Sequence, residues 1–257
     1  LLTLPPISLY IHMPWCVRKC PYCDFNSHAL TKNGIPEQDY INALLTDFQH
    51  ELVKVQNREL KSIFIGGGTP SLLSPACYQT LLQELKKNIS FSCNMEVTLE
   101  VNPGTCEHGR FQEYFEAGIN RVSMGVQSFQ DEKLQTLGRI HTADEAISAI
   151  KTLTKSDFNN VNIDLMHGLP NQSIDDALYD LTMAVELQPT HISWYQLTIE
   201  PNTLFYSQRP TLPSEDTLWA IQEAGQTLLA KCGYQQYEIS AYCQADKQAQ
   251  HNLNYWQ

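Results

Sequence analysis

The chain has 257 residues, with 17 lysines and arginines against 28 aspartates and glutamates, giving a formal charge of −11 at neutral pH and an isoelectric point near 5.1. That length can bury a large core, and the acidic balance removes any general attraction for nucleic-acid backbones or anionic lipid. No apolar run approaches the ~20 residues that cross a bilayer, and the opening LLTLPPISLYIHMP lacks the basic start and small-residue cleavage site of a secretion signal. The expectation is a cytoplasmic protein that is not integral to a membrane and has no nucleic-acid partner. It begins with Leu1 and stops at HNLNYWQ, within sequence that still reads as structured, so it reads as a piece of a longer protein.

Taken in order, strand-like runs fall at 7–13, 61–67, 95–102, 120–127, 160–168 and 191–199. Helix-like runs fall at 37–55, 75–88, 107–117, 131–138 followed by 142–156, 173–187 and 214–232. Alternation of this kind signals βα units on a parallel sheet. Six units are too few for a closed eight-fold barrel and suit an α/β fold of the partial (β/α)6, TIM-like kind. Residues 1–232 are read as the core domain, and 233–257 as the start of a C-terminal region carrying an H-N-x-x-Y-W motif.

Side chains alternate between the faces of a strand. One face of four strands is apolar: Ile7, Leu9, Ile11; Val97, Leu99, Val101; Val122, Met124, Val126; Val161, Ile163, Leu165. The opposite face carries Ser8, Tyr10, His12; Glu96, Thr98, Glu100; Ser123, Gly125, Gln127; Asn162, Asp164, Met166. A closed barrel fills its lumen with branched aliphatics. A polar lumen therefore predicts an open barrel that holds something wet and functional, with its chemistry at the carboxyl ends of the strands, near Cys16, Gly66, Glu100, Gln127 and Asp164.

Eight cysteines are too sparse for a disulfide scaffold, and clustered thiols favour metal or redox chemistry. Cys77, Cys93, Cys106, Cys232 and Cys243 are scattered singly and read as ordinary thiols. Cys16, Cys20 and Cys23 form C-x3-C-x2-C on the loop after the first strand. Structural zinc wants four ligands, commonly as two separated pairs; here one loop supplies three, and only His12 or His28 could complete such a site. A four-iron cubane on three thiolates instead keeps one iron free to chelate a small molecule.

This loop in this position resembles that of the radical SAM superfamily. The resemblance implies that Cys16, Cys20 and Cys23 hold a [4Fe-4S] cluster and that the open iron binds S-adenosylmethionine (SAM), whose reductive S–C5′ cleavage yields a 5′-deoxyadenosyl radical. FIGGGTPS at 64–71 is by itself only a tight turn after a strand; within the family it resembles the glycine motif, assigning Gly66, Gly67, Gly68 and Thr69 to the amino group of SAM. Glu100, Gln127, Arg139 and Asp164 admit ordinary readings as edge carboxylate, capping amide, helix-end cation and turn acid. Each also lies in a segment similar to the coproporphyrinogen III dehydrogenase-like branch, in EVNPGT, RVSMGVQSF, LGRIH and DLMHGLP, where the equivalents contact SAM. By that likeness Arg139 pairs with the methionyl carboxylate and Gln127 and Asp164 bind ribose hydroxyls. Tyr10 and Tyr22 match aromatic positions beside the cluster and adenine, although either also suits the core.

Within the branch, the dehydrogenases carry a fourth cysteine, C-x3-C-x2-C-x-C. This chain has Phe25 there. Together with HNLNYW at 251–256, that resembles the heme-chaperone group, which implies heme as a third ligand and heme-acceptor proteins, membrane-bound ones included, as partners. The imidazole of His251 suits an axial position on heme iron, and Tyr255 and Trp256 suit packing on a macrocycle; the alternative is a structural turn with a buried aromatic pair. A dehydrogenase remains the enzymatic alternative, with Phe25 against it, and a zinc-stabilised scaffold the non-redox one. His12 and His141 are read as packing or hydrogen-bonding residues at the barrel mouth.

Overall fold

The computed structural model describes residues 4–105 and 110–256; Cys106 and the first three residues of the helix expected at 107–117 lie outside them. Six parallel strands, β1 (Ile7–Met13), β2 (Leu60–Gly67), β3 (Phe91–Val101), β4 (Arg121–Gln127), β5 (Val161–His167) and β6 (His191–Gln196), pair in sequence order. A hairpin of β7 (Gln235–Glu238) and β8 (Ala241–Cys243) joins the free edge of β6 in antiparallel sense. The eight strands form one sheet in the order β1-β2-β3-β4-β5-β6-β8-β7, curled into a half-barrel.

The helices α1 (Glu37–Glu51), α2 (Pro75–Asn88), α3 (Arg110–Glu116), α4 (Asp131–Thr136), α5 (Ala143–Leu153), α6 (Ile174–Glu186), α7 (Leu204–Gln208) and α8 (Glu215–Lys231) follow the strands. Their starts are written locally. Thr142 with Glu145, and Ser173 with Asp176, form reciprocal capping boxes at α5 and α6. α5 then buries Ala146, Ala149, Ile150 and Leu153, at the i, i+3, i+4, i+7 spacing of one helix face. These meet the apolar sides of the strands, where Ile63, Ile65, Leu99, Val122, Met124, Ile163, Leu165 and Ile192 are fully buried. Truncating any one of them to alanine would cost about 2–5 kcal/mol.

The polar face turns inward, as the alternation predicts, and its lower half is filled by the chain itself. A final helix, α9 (Gln250–Trp256), lies against β1 and β2 and seats His251 inside the curl. His191 is bonded through Nδ1 to the Asn162 side-chain oxygen, so Nε2 accepts from the Tyr237 hydroxyl at 2.8 Å. That hydroxyl in turn accepts from the Ala249 amide (3.1 Å) and the Asn252 side chain (3.2 Å). The β7 hairpin thus ties α9 to β6, and residues 235–256 extend the same sheet and lumen.

The sixth strand stops at Gln196 and not at 199, and Leu197, Thr198 and Glu200 just beyond it line the cavity. β3 begins earlier than expected, at Phe91, where it pairs with Leu60.

Candidate functional site

The cysteine loop is closed at its base. Trp15–Cys16 pairs in parallel with His28–Ala29, with the His28 amide donating to Pro14 O (2.7 Å) and that of Leu30 to Cys16 O (2.8 Å). His12 tethers it from β1: its Nε2–H donates to Asn26 O (2.8 Å), which leaves Nδ1 to accept from the Tyr10 hydroxyl (3.0 Å). Cys16 is buried, Cys20 and Cys23 are partly buried, and all three thiols are free. Burial pushes the Cys23 thiol up, against the opposing hydrogen bonds of Phe25 and Ser27.

The glycine turn runs directly against this loop. Gly68 N donates to Met13 O and Thr69 N to Trp15 O, both at 2.6 Å. A Cβ on Gly68 would fall 2.4 Å from Trp15 O, so only a bare backbone can approach β1 this closely. Gly67 adopts a φ of 113° and gives its amide to Glu100 Oε2 at 3.0 Å.

Beyond the turn lies a cavity of about 480 Å³ at the carboxyl ends of the strands. Of the residues singled out in the sequence, Cys16, Cys20, Tyr22, Cys23, Gly67, Gly68, Thr69, Glu100, Gln127, Arg139 and Asp164 line it, with Phe25 among them. Three lie elsewhere. Gly66 sits one residue deeper in β2, where a Cβ would meet the Glu100 carboxylate at 2.9 Å. Tyr10, 46% exposed, stacks on Phe64 with ring centroids 6.3 Å apart. His251, 5% exposed, packs its ring 5.1 Å from Phe64 and 5.5 Å from Tyr255, with Nδ1 3.2 Å from Ser62 Oγ. Burial, with Arg121 adding, lowers the pKa of His251 to about 4, so the ring is neutral.

Sequence reasoning missed the groups that hold the lining in place. Asn102 donates to Thr69 Oγ1 at 3.0 Å and accepts from Arg139 Nη2, which also donates to Gly125 O at 2.6 Å. The Tyr195 hydroxyl donates to Gln127 Oε1 at 2.8 Å, turning the amide nitrogen of Gln127 the other way; Gln127 itself takes a left-handed φ of 73°, a strained state for a non-glycine residue. Ser123 and Asn162 donate to the two oxygens of Asp164 at 2.8 and 2.7 Å. Ser123, Asn162 and Gly125 were legible as inner-face positions by strand alternation, without a role; Asn102 lies two residues beyond Glu100 on the same parity, and that signal was available.

Electrostatically the cavity is unbalanced. Glu100 is pushed up to about 7 by burial, with the charge of Asp164 adding and the Gly67 amide opposing. Asp164 is raised by burial despite its hydrogen bonds. Neither carboxylate has an ion pair among the described residues. Partly buried acids with no ion-pair partner among the described residues suit a ligand that brings positive charge. An acid whose folded pKa exceeds its unfolded value binds its proton more tightly when folded, so stability is lost as pH rises from 4.5 to about 7. Glu100→Gln should therefore flatten the pH dependence of the ligand-free protein's Tm across that window and raise Tm above it. An unchanged slope in a pH series of thermal melts would refute this.

Among the described residues no group of three or more His, Cys, Asp or Glu is arranged to hold a metal ion. The donor chemistry nonetheless fits a cubane cluster: three soft thiols on one loop, facing one cavity. The remainder of the lining, which includes the guanidinium of Arg139, the carboxyl groups of Glu100 and Asp164 and polar side chains, has the mixed charge that suits a zwitterionic sulfonium. Residues 10–183 match the model of the Radical SAM superfamily. The chain belongs to the radical SAM superfamily.

Its radical SAM relatives narrow the branch. The chain is 61% identical to the heme chaperone HemW of Haemophilus influenzae over 257 residues and 57% identical to that of Escherichia coli over 253, in each case 98% of this chain and 67% of the relative. Among solved structures it is similar to coproporphyrinogen III oxidase (HemN) from Escherichia coli, a radical SAM enzyme, with a TM-score of 0.83 and 28% identity, covering 94% of this chain and 56% of that one. The radical SAM barrel is thus the scaffold for a [4Fe-4S] cluster and SAM.

Proposed function

We propose that this chain is part of a heme chaperone that binds heme on a radical SAM scaffold and passes it to acceptor proteins. The observation that carries the reading is Phe25, which lines the cavity and is 55% exposed at the position where the dehydrogenase pattern has its fourth cysteine. The high identity to two proteins named heme chaperones, along nearly the whole chain, supports it.

Cys16, Cys20 and Cys23 hold the cluster. Gly67, Gly68 and Thr69 present backbone to the amino end of SAM, with Glu100 as its acidic neighbour and Gly66 one residue below them in β2. Arg139 takes the carboxylate, Gln127 and Asp164 the ribose hydroxyls, and Tyr22 the adenine side; Tyr10 stands one layer below. When bound, the cluster supplies a low-potential electron and an open coordination position. What the chain contributes is fixed dipoles that orient the ligand.

Heme is placed at the C-terminal helix. Tyr255 and Trp256 of α9 are 74% and 65% exposed, two aromatic rings available to a macrocycle, and His251 lies one turn below. No helix among the described residues is long and apolar enough to cross a membrane. The reading places the protein in the cytoplasm, where its thiols stay reduced, and allows membrane-bound proteins among the acceptors.

A heme titration of wild type and His251→Ala tests the ligand assignment. The expected result is a changed Soret band in the variant; an identical spectrum would remove His251. The second reading, a coproporphyrinogen III dehydrogenase, is favoured by the structural likeness to HemN. It is tested by anaerobic turnover with reductant, SAM and coproporphyrinogen III, where decarboxylated product would establish it.

A further inference from the structure

Arg139 makes a contact that reading a carboxylate does not require. Its Nη1 lies 3.7 Å from Cys20 Sγ, and among the described residues it forms no ion pair. The contact is built from both sides. α4 is capped at Leu137 and followed by Gly138, whose φ is 70° and where an added Cβ would fall 2.6 Å from Pro21 Cδ. The helix terminus is therefore packed onto the cysteine loop between Cys20 and Cys23, and the next residue is Arg139.

From the other side the guanidinium is pinned to the barrel. Nη2 donates to Gly125 O at 2.6 Å and to the Asn102 side chain, and Asn102 is braced by Thr69 at 3.0 Å. Gly125 is the residue that leaves room: a Cβ there would lie 3.0 Å from Asn102 Oδ1 and 3.5 Å from Arg139 Nη2. Nε is buried with no hydrogen-bond partner. The guanidinium is thus held on the barrel side by β4 and Asn102 as well as by the packing of the adjacent backbone at Gly138 on the cysteine loop.

Resting on the cluster reading above, we propose that Arg139 tunes the reduction potential of the cluster. It donates Nη1–H to Cys20 Sγ and holds a positive charge against that ligand, with Asn102 as its positioning residue. Hydrogen bonds to cluster sulfurs and nearby positive charge stabilise the more negative, reduced state and raise the potential. Binding of a carboxylate to the same guanidinium would offset part of that charge, so one side chain would couple ligand occupancy to the ease of reducing the cluster.

The test is an EPR-monitored reductive titration of anaerobically reconstituted wild type, Arg139→Gln and Asn102→Leu without SAM, with iron and sulfide measured on each. Arg139→Gln should show at least a tenfold fall in the reduced-to-oxidised ratio at a fixed potential, which for a one-electron couple is a downward shift of about 59 mV or more. Asn102→Leu, which keeps the cation and removes a brace, should shift in the same direction by less. A fully loaded Arg139→Gln with the wild-type midpoint would overturn the proposal. If that variant loads no cluster, a wild-type midpoint in loaded Asn102→Leu overturns it instead. A wild-type protein that takes up no iron or sulfide would defeat the cluster reading itself, a distinct result.

Discussion

Replacing Cys16, Cys20 or Cys23 with alanine, one at a time, is expected to abolish cluster assembly under anaerobic reconstitution while leaving the fold in place. The three thiols lie on a loop whose base is closed by the Trp15–Cys16 and His28–Ala29 pairing and by the His12 tether to Asn26, and none of those bonds uses a thiol. The structural cost is small: lost packing of about 1 kcal/mol at the buried Cys16, and at the other two the contacts of Cys20 Sγ with Arg139 and of Cys23 Sγ with Ser27. The chemical cost is total, because two thiolates on a mobile-ended cubane leave two irons open to solvent and oxidant. Iron and acid-labile sulfide should fall to background in each variant with far-UV circular dichroism unchanged. A variant that keeps its full iron and sulfide would show that the replaced cysteine is not a ligand.

Gly68→Ala is expected to have the second-largest effect, for a steric reason. The new Cβ would stand 2.4 Å from Trp15 O and 2.8 Å from both Met13 O and Trp15 C. These are backbone atoms of the β1 end and the cysteine loop, and they have no rotamer to escape into. Relief requires the glycine turn to part from β1, which loses the amide bonds from Gly68 to Met13 and from Thr69 to Trp15. Overpacking of this kind costs about 1–3 kcal/mol and each lost bond about 1 kcal/mol. At roughly 2–4 °C per kcal/mol for a chain of this size, Tm should drop by about 10 °C, and SAM affinity should fall with it. Gly34→Ala is the control: its φ is 70°, yet nothing lies within 4 Å of the added carbon, so only conformational strain of about 1 kcal/mol applies. Equal melting temperatures for the two variants would show that the Gly68 contact is not tight.

What could be read in the sequence follows from the range of the interactions involved. C-x3-C-x2-C and FIGGGT are local signals, and the six parallel strands show as strand-like runs between helix-like ones, four of them with a clear alternation of faces, so the scaffold and the site's position were legible. Contacts that join distant elements were not. The Asn102 bridge spans Thr69 and Arg139, and Tyr195 reaches Gln127 across 68 positions. The register shift between Gly125 and Gln127, with its left-handed backbone, has no signature in VSMGVQS. The β7–β8 hairpin turns at Ile239–Ser240 without the glycine or asparagine that usually marks a tight turn, and α9 is too short to show a periodicity. His251 reads as a candidate ligand with its surroundings unspecified, because its burial inside the half-barrel is decided by Ser62, Phe64 and Glu96, between 155 and 189 positions away.

The measurement that bears most directly on the central claim is heme transfer. Protein with a reconstituted cluster and bound SAM, loaded with heme, is mixed anaerobically with a heme-free acceptor, and both Soret bands are followed. The account predicts that heme leaves this protein and appears in the acceptor faster than free heme does. Heme that stays bound, or an acceptor that fills no faster than from solution, would contradict it.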